Sequence, residues 1–146
     1  MIVLGIDPGI DGFAWAVYRE ECNMITKWGC TSRERAGGLA GHLQQALQDD
    51  FFIAIEDVRF YQGMARTGRI QQVLLETAKT IGVLQHEYPQ ALLIPRKTIC
   101  AALGVGVQAG NPQVNRGLGV LIPSFKARRN GLNGHHRAAA AVAYAS

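Results

Sequence analysis

Two carboxylates of this chain sit in the same local setting. Asp7 closes the apolar run MIVLGID just before Pro8-Gly9, and Glu56 closes FFIAIE. Each ends what reads as a buried strand, and in open α/β sheets ligands bind beyond the carboxyl ends of the strands. A buried carboxylate without a partner is costly, so each implies a cation or an arginine beside it. A structural salt bridge would satisfy one such residue; two on neighbouring strands favour function. Paired carboxylates offer Mg²⁺ hard oxygen ligands, completed by waters and a substrate phosphate. Two such ions would clamp a scissile phosphate, a chemistry that takes a third or fourth ligand. The C-terminal stretch GHHRAAAAVAYAS places His135 and His136 at the head of an alanine-rich helix. His135 suits either a metal ligand or a base that orients water. His136 lies about 100° further round the helix and is expected to be exposed or to face phosphate. Asp11, in the turn after Asp7, is placed to touch a metal through water.

The elements that must hold these residues are legible in the pattern. MIVLGID, GFAWAVYRE and MITKWGC read as three successive strands forming a meander. A helix is expected over the second half of SRERAGGLAGHLQQALQD, where Leu39, Leu43, Ala46 and Leu47 recur at helical spacing. FFIAIE, apolar almost throughout, reads as a strand covered on both faces. A polar loop, DVRFYQGMARTG, leads into a long helix from about Arg69 to Glu87, with Ile70, Val73, Leu74, Thr77, Ile81 and Leu84 in one stripe. ALLIP is a further buried strand, RKTICAAL a short helix, and Pro112 suits the first turn of a helix over PQVNRGLGVLI. The basic loop PSFKARRNGLNG precedes the final helix. The expectation is one α/β domain over residues 1–146, a five-stranded mixed sheet with helices on both faces.

Composition limits the partners. With 48% hydrophobic and 18% charged residues the chain reads as a soluble globular domain. No apolar run approaches the roughly 20 residues of a membrane span, and the N-terminus lacks the basic segment of a secretion signal. Cys22, Cys30 and Cys100 show no metal spacing and are expected to be reduced core or boundary thiols of a cytoplasmic protein. The net charge of +4 conceals a division: residues through Asp57 carry −5 and the remainder +9. Acids on one part and bases on the other suit a polyanion held by the bases while the acids bind cations.

In order and spacing the motifs resemble the RuvC-type Holliday junction resolvases of the RNase H-like superfamily, particularly their bacteriophage and prophage relatives. GIDPG followed by GFAWAVY resembles the family's first motif, IAIEDV its second, and the His-headed alanine helix its last; IPRKTICAALGVG resembles the segment between. The resemblance implies an RNase H-like fold and a homodimeric endonuclease that resolves four-way DNA junctions by paired nicks with Mg²⁺ or Mn²⁺. Asp7, Glu56 and His135 would then be catalytic metal ligands, and Lys97 a catalytic basic residue close to the scissile phosphate. A second family lysine falls near Asn111, its role absent or taken by Arg116. The loop carrying Arg59, Phe60, Tyr61, Arg66 and Arg69 would enter the junction centre, combining phosphate contacts with stacking on unpaired bases. Arg96, Arg116, Lys126, Arg128, Arg129 and Arg137 complete the expected DNA-binding set.

The chain departs from the pattern at Ala138. The family's last acid sits three residues after its helix-head ligand, one turn on and on the same face. Aligning His136 as the ligand instead moves the gap to Ala139 and recovers no acid. The chain is then a natural nuclease with a reduced ligand set, an Asp replacement of the kind that traps complexes, or a junction-binding protein that does not cut. An actin-like ATPase, which also begins with a GIDPG-like strand, would need a second phosphate-binding Asp-Gly loop and a larger chain.

Overall fold

The computed structural model describes residues 1–47, 49–58, 68–106, 110–122 and 133–146. Strands β1 (Ile2–Pro8), β2 (Gly12–Arg19) and β3 (Met24–Ser32) form the antiparallel meander. A 3-10 turn at Arg33–Arg35 leads into α1 (Ala36–Leu47), followed by β4 (Phe52–Asp57) and α2 (Gly68–Glu87). Then come β5 (Leu92–Pro95), α3 (Arg96–Ala102), α4 (Asn111–Leu121) and α5 (Gly134–Ala145). The sheet order is β3-β2-β1-β4-β5, with β4 parallel to both β1 and β5. β1 runs one residue further than its Pro-Gly stop suggests, because Pro8 still pairs with Phe13. Proline lacks only the donor, so it is tolerated at the end of a strand.

Alternation along β1 divides the core in two. Ile2, Leu4 and Ile6 join Ile53 and Ile55 beneath α1 and α2, with Leu39, Leu43 and Leu84. Val3 and Ala54 face the other way, beneath α3, α4 and α5. On this second face Ala139 to Val142 are fully buried, and Gly5 is what lets α5 approach. A Cβ at Gly5 would lie 2.5 Å from the Ala143 backbone nitrogen and closer still to the Ala139 carbonyl oxygen. The alanine run and Gly5 are thus the two sides of one close helix-on-strand contact.

α2 is only partly seated. Thr77, Thr80, Ile81 and Leu84 are buried, whereas Ile70, Val73 and Leu75 in its first half are exposed. Among the described residues no helix is long and apolar enough to cross a membrane.

Candidate nuclease site

Register brings the carboxylates together. Ile6 pairs with Ile55 across the parallel β1–β4 ladder, so Asp7 and Glu56, the next residues, lie side by side. They share the parity of Gly5 and Ala54 and therefore face α5. Asp7 is paired with Ala14 on β2, and Ala14 with Cys30 on β3. Cys30, Ala14, Asp7 and Glu56 thus form one row across the sheet, with the head of α5 above it.

The head of α5 is set by its cap. The Asn133 side chain accepts hydrogen bonds from the backbone N–H groups of His135 and His136, each at 3.0 Å. The Asn133 N–H donates back to His136 Nδ1 at 3.2 Å, closing a reciprocal box. A ring nitrogen that accepts from a backbone N–H carries no proton, so the neutral His136 ring holds its proton on Nε2. That N–H faces Cys30 Sγ at 3.2 Å. Burial, then the neighbouring His135, push the His136 pKa down and keep the ring neutral. Both of its nitrogens are occupied. His136 is a capping residue, half-buried against a thiol rather than turned to solvent or phosphate.

His135 is the histidine that meets the sheet. Its Nδ1 lies 3.1 Å from Asp7 Oδ2 while the side chain is 75% exposed, so the ring N–H donates to the carboxylate and Nε2 points outward. Glu56 is instead paired with Arg96, whose Nη1 is 3.3 Å from Glu56 Oε1. Burial pushes the Asp7 pKa up against the pull of His135 and Arg96. It pushes Glu56 further, to about 7, reinforced by the adjacent Asp7 charge and opposed by Arg96. Two carboxylates side by side, one buried and one partly buried, favour holding a proton that a divalent cation would displace. The donor set fits Mg²⁺ or Mn²⁺ as two hard oxygens, the rest left to water and phosphate. It does not form a closed cage: among the described residues no three His, Cys, Asp or Glu side chains stand close enough to hold an ion. Arg96 lies against Glu56, and the His135 ring against Asp7.

Of the expected DNA contacts, Arg69 is exposed on the first turn of α2 and Lys97 on the first turn of α3, next to Arg96. Arg96 is committed to Glu56, the arginine partner that a buried carboxylate calls for. Arg116 is exposed on α4, beside a separate cavity of about 460 Å³ bordered by Gly104 and Val120. Arg137 is half-buried, with its Nε out of solvent. Arg59, Phe60, Tyr61, Arg66, Lys126, Arg128 and Arg129 lie outside the described residues. A groove of about 390 Å³ opens beside Asp7, between the Gly9–Gly12 turn, Cys30–Ser32 and His135. Ala138 is buried on α5 at 6% exposure.

Sequence reasoning missed Cys30 and Asn133. The Asn-x-x-His spacing is a capping signal that was there to read. Cys30 depends on two hairpin registers and a bulge at Val17/Tyr18, which no local pattern announces. Both exposed cysteines, Cys22 and Cys30, differ from the expected core or boundary thiols; Cys100 alone is buried.

No protein-family model matches the chain, and neither does any curated protein sequence. Solved structures do. RuvC of Thermus thermophilus in complex with Holliday junction substrate superimposes with a TM-score of 0.68 at 16% identity, over 99% of this chain and 92% of that one. A second structure of Thermus thermophilus RuvC gives the same TM-score at 15% identity, with the same coverage of both chains. At such identity the likeness is one of architecture, and it extends over the whole length: the chain has the RNase H-like fold of RuvC.

Proposed function

We propose that the protein is a metal-dependent, structure-selective DNA endonuclease that resolves four-way junctions by paired nicks as a homodimer in the cytoplasm. The observation that carries this reading is the Asp7–Glu56 pair, side by side at the ends of parallel strands in a RuvC-like fold, with Glu56 buried and Asp7 partly so. Asp7 and Glu56 would hold Mg²⁺ or Mn²⁺, which supplies Lewis acidity to the attacking water and to the leaving oxygen. Water attacks phosphorus and the 3′ oxygen leaves with a proton, giving a 5′-phosphate and a 3′-hydroxyl. Asp7 fixes the His135 tautomer and turns Nε2 outward, where it can take the proton of the water. Arg96 balances Glu56, and the neighbouring Lys97 offers its ammonium to the scissile phosphate. The basic residues after Asp57 hold the backbone of the DNA. The exposed Ile70 and Val73, one turn apart on α2, suit burial against a second copy.

Ala138 favours a second reading, a junction-binding protein of the same fold that does not cut. Nicking of a synthetic four-way junction in Mg²⁺ and in Mn²⁺, against a linear duplex and alongside a binding assay in EDTA, separates the two. Metal-dependent nicks confined to the junction are expected, with Ala138→Asp raising the rate. Tight junction binding with no nicking by either form establishes the binding reading. Absence of junction preference in binding removes both.

A further inference from the structure

The turn that follows Asp7 is held from the far side of the sheet. The Arg33 guanidinium donates to the Ile10 carbonyl and, at 3.3 Å, to the Glu76 carbonyl. It also reaches Glu76 Oε2 at 3.3 Å, and its Nε donates to Thr80 Oγ1 at 3.0 Å. The Thr80 hydroxyl, fully buried, donates to the Gly9 carbonyl at 2.8 Å. The Arg33 backbone N–H donates to the Asp11 carbonyl at 3.2 Å, and the Gly9 N–H to the Gly12 carbonyl at 2.7 Å. Three successive carbonyls of the turn, at residues 9, 10 and 11, are therefore bonded to Arg33 or to Thr80. Arg33 itself is anchored to Glu76, one turn from Thr80 on α2.

A surface turn ordinarily gives its carbonyls to water. Here those of Gly9 and Ile10 are spent on one buried hydroxyl and one guanidinium, both tied to the same helix, and that of Asp11 on the Arg33 backbone N–H. That turn is a wall of the groove beside Asp7. The helix is the one whose first half is unseated and which starts directly after the expected junction-entering loop. We propose that Arg33 and Thr80 are positioning residues, a clamp through which α2 sets the place of the Asp7 turn and so of the substrate groove. The inference rests on the nuclease reading for its consequence, but the clamp itself is measurable without cleavage.

The test compares wild type with Thr80→Val, Thr80→Ser, Arg33→Ala, Arg33→Lys and Lys79→Ala. Lys79 bonds the same Glu76 at 2.8 Å but touches no part of the turn. Amide hydrogen exchange at Gly9 and Arg33 reads the turn in the metal-free protein. Exchange is expected to accelerate at least tenfold in Thr80→Val and Arg33→Ala, less in Arg33→Lys, and to stay at the wild-type rate in Thr80→Ser and Lys79→Ala. Single-turnover nicking is expected to fall about tenfold in the same order, with junction affinity in EDTA unchanged. Arg33→Ala risks unfolding, so the near-isosteric Thr80→Val decides, with its melting temperature recorded. Wild-type exchange at Gly9 in a folded Thr80→Val overturns the clamp. Faster exchange with an unchanged nicking rate overturns its role in positioning. A wild type that binds but never nicks removes the nuclease reading and leaves the exchange result standing.

Discussion

The site's charge state follows from the burial of Glu56. Its side chain is 9% exposed, and burial with the neighbouring Asp7 raises its pKa from 4.5 to about 7. A carboxyl that binds its proton more tightly folded than unfolded makes stability fall as pH rises between those values. The metal-free protein is therefore expected to lose roughly 3 kcal/mol from pH 4.5 to pH 7, at about 1.4 kcal/mol per pKa unit, and little more above. Asp7, shifted the same way, adds to the slope. Urea melts across that range check this: Glu56→Gln should flatten most of the slope and abolish metal-dependent nicking. Millimolar Mn²⁺ should flatten it too, since metal and proton compete for the same oxygens. A slope that survives Glu56→Gln assigns the titration elsewhere. The placement of Asp7, Glu56 and His135 was legible because each terminates or heads an element, where sequence punctuation is strongest. Arg96 was legible as a cation but not as the partner of Glu56, because that depends on where β5 stops beside β4. The capping role of His136 was signalled by the Asn-x-x-His spacing, whereas its contact with Cys30 depends on strand register.

At the scale of elements, α5 and β1 form the piece that aligns the site. The alanine run announced tight packing, but its counterpart, Gly5, lies more than a hundred residues away and looks like any glycine in a strand. Gly5→Ala is expected to destabilise the fold at the upper end of the roughly 1–3 kcal/mol typical of overpacking. That corresponds to about 10 °C in melting temperature for a domain of this size. Because α5 carries His135, any folded Gly5→Ala protein should also nick more slowly, its helix displaced from Asp7. Asn133→Ala tests the other end of the same helix. It leaves two backbone donors without their acceptor and should cost about 1 kcal/mol in thermal or urea melts. A melt identical to wild type would mean that the box with His136 contributes nothing. The paired edges of the sheet were foreseeable from strand composition, whereas the partial seating of α2 was not. Its apolar stripe reads as continuous, yet the structure buries only the half that reaches the sheet.

For the molecule as a whole, the proposed paired cutting of a junction turns on that unseated half of α2. One domain carries one Asp7–Glu56 pair, and paired nicks need two, related so that each meets its own strand. A two-fold dimer supplies this, and isologous interfaces of such dimers are built from self-complementary apolar patches. Ile70 and Val73 are 42% and 43% exposed, one helical turn apart, on the helix whose other half is fixed to the sheet. Val73→Glu places a charge in that patch without touching the core, so the domain should melt near the wild-type temperature. It should sediment as a monomer, where the wild type is expected to sediment as a dimer. A supercoiled plasmid with an extruded cruciform reads the consequence, because the cruciform is reabsorbed once one strand is nicked. Two linked sites cut both strands before that happens and give linear DNA; separated sites give nicked circles. Val73→Glu is expected to shift the product from linear to nicked by about tenfold, while its rate on an immobile synthetic junction changes little. If Val73→Glu remains dimeric and still linearises the plasmid, the stripe is not the interface and the two sites are joined through another surface.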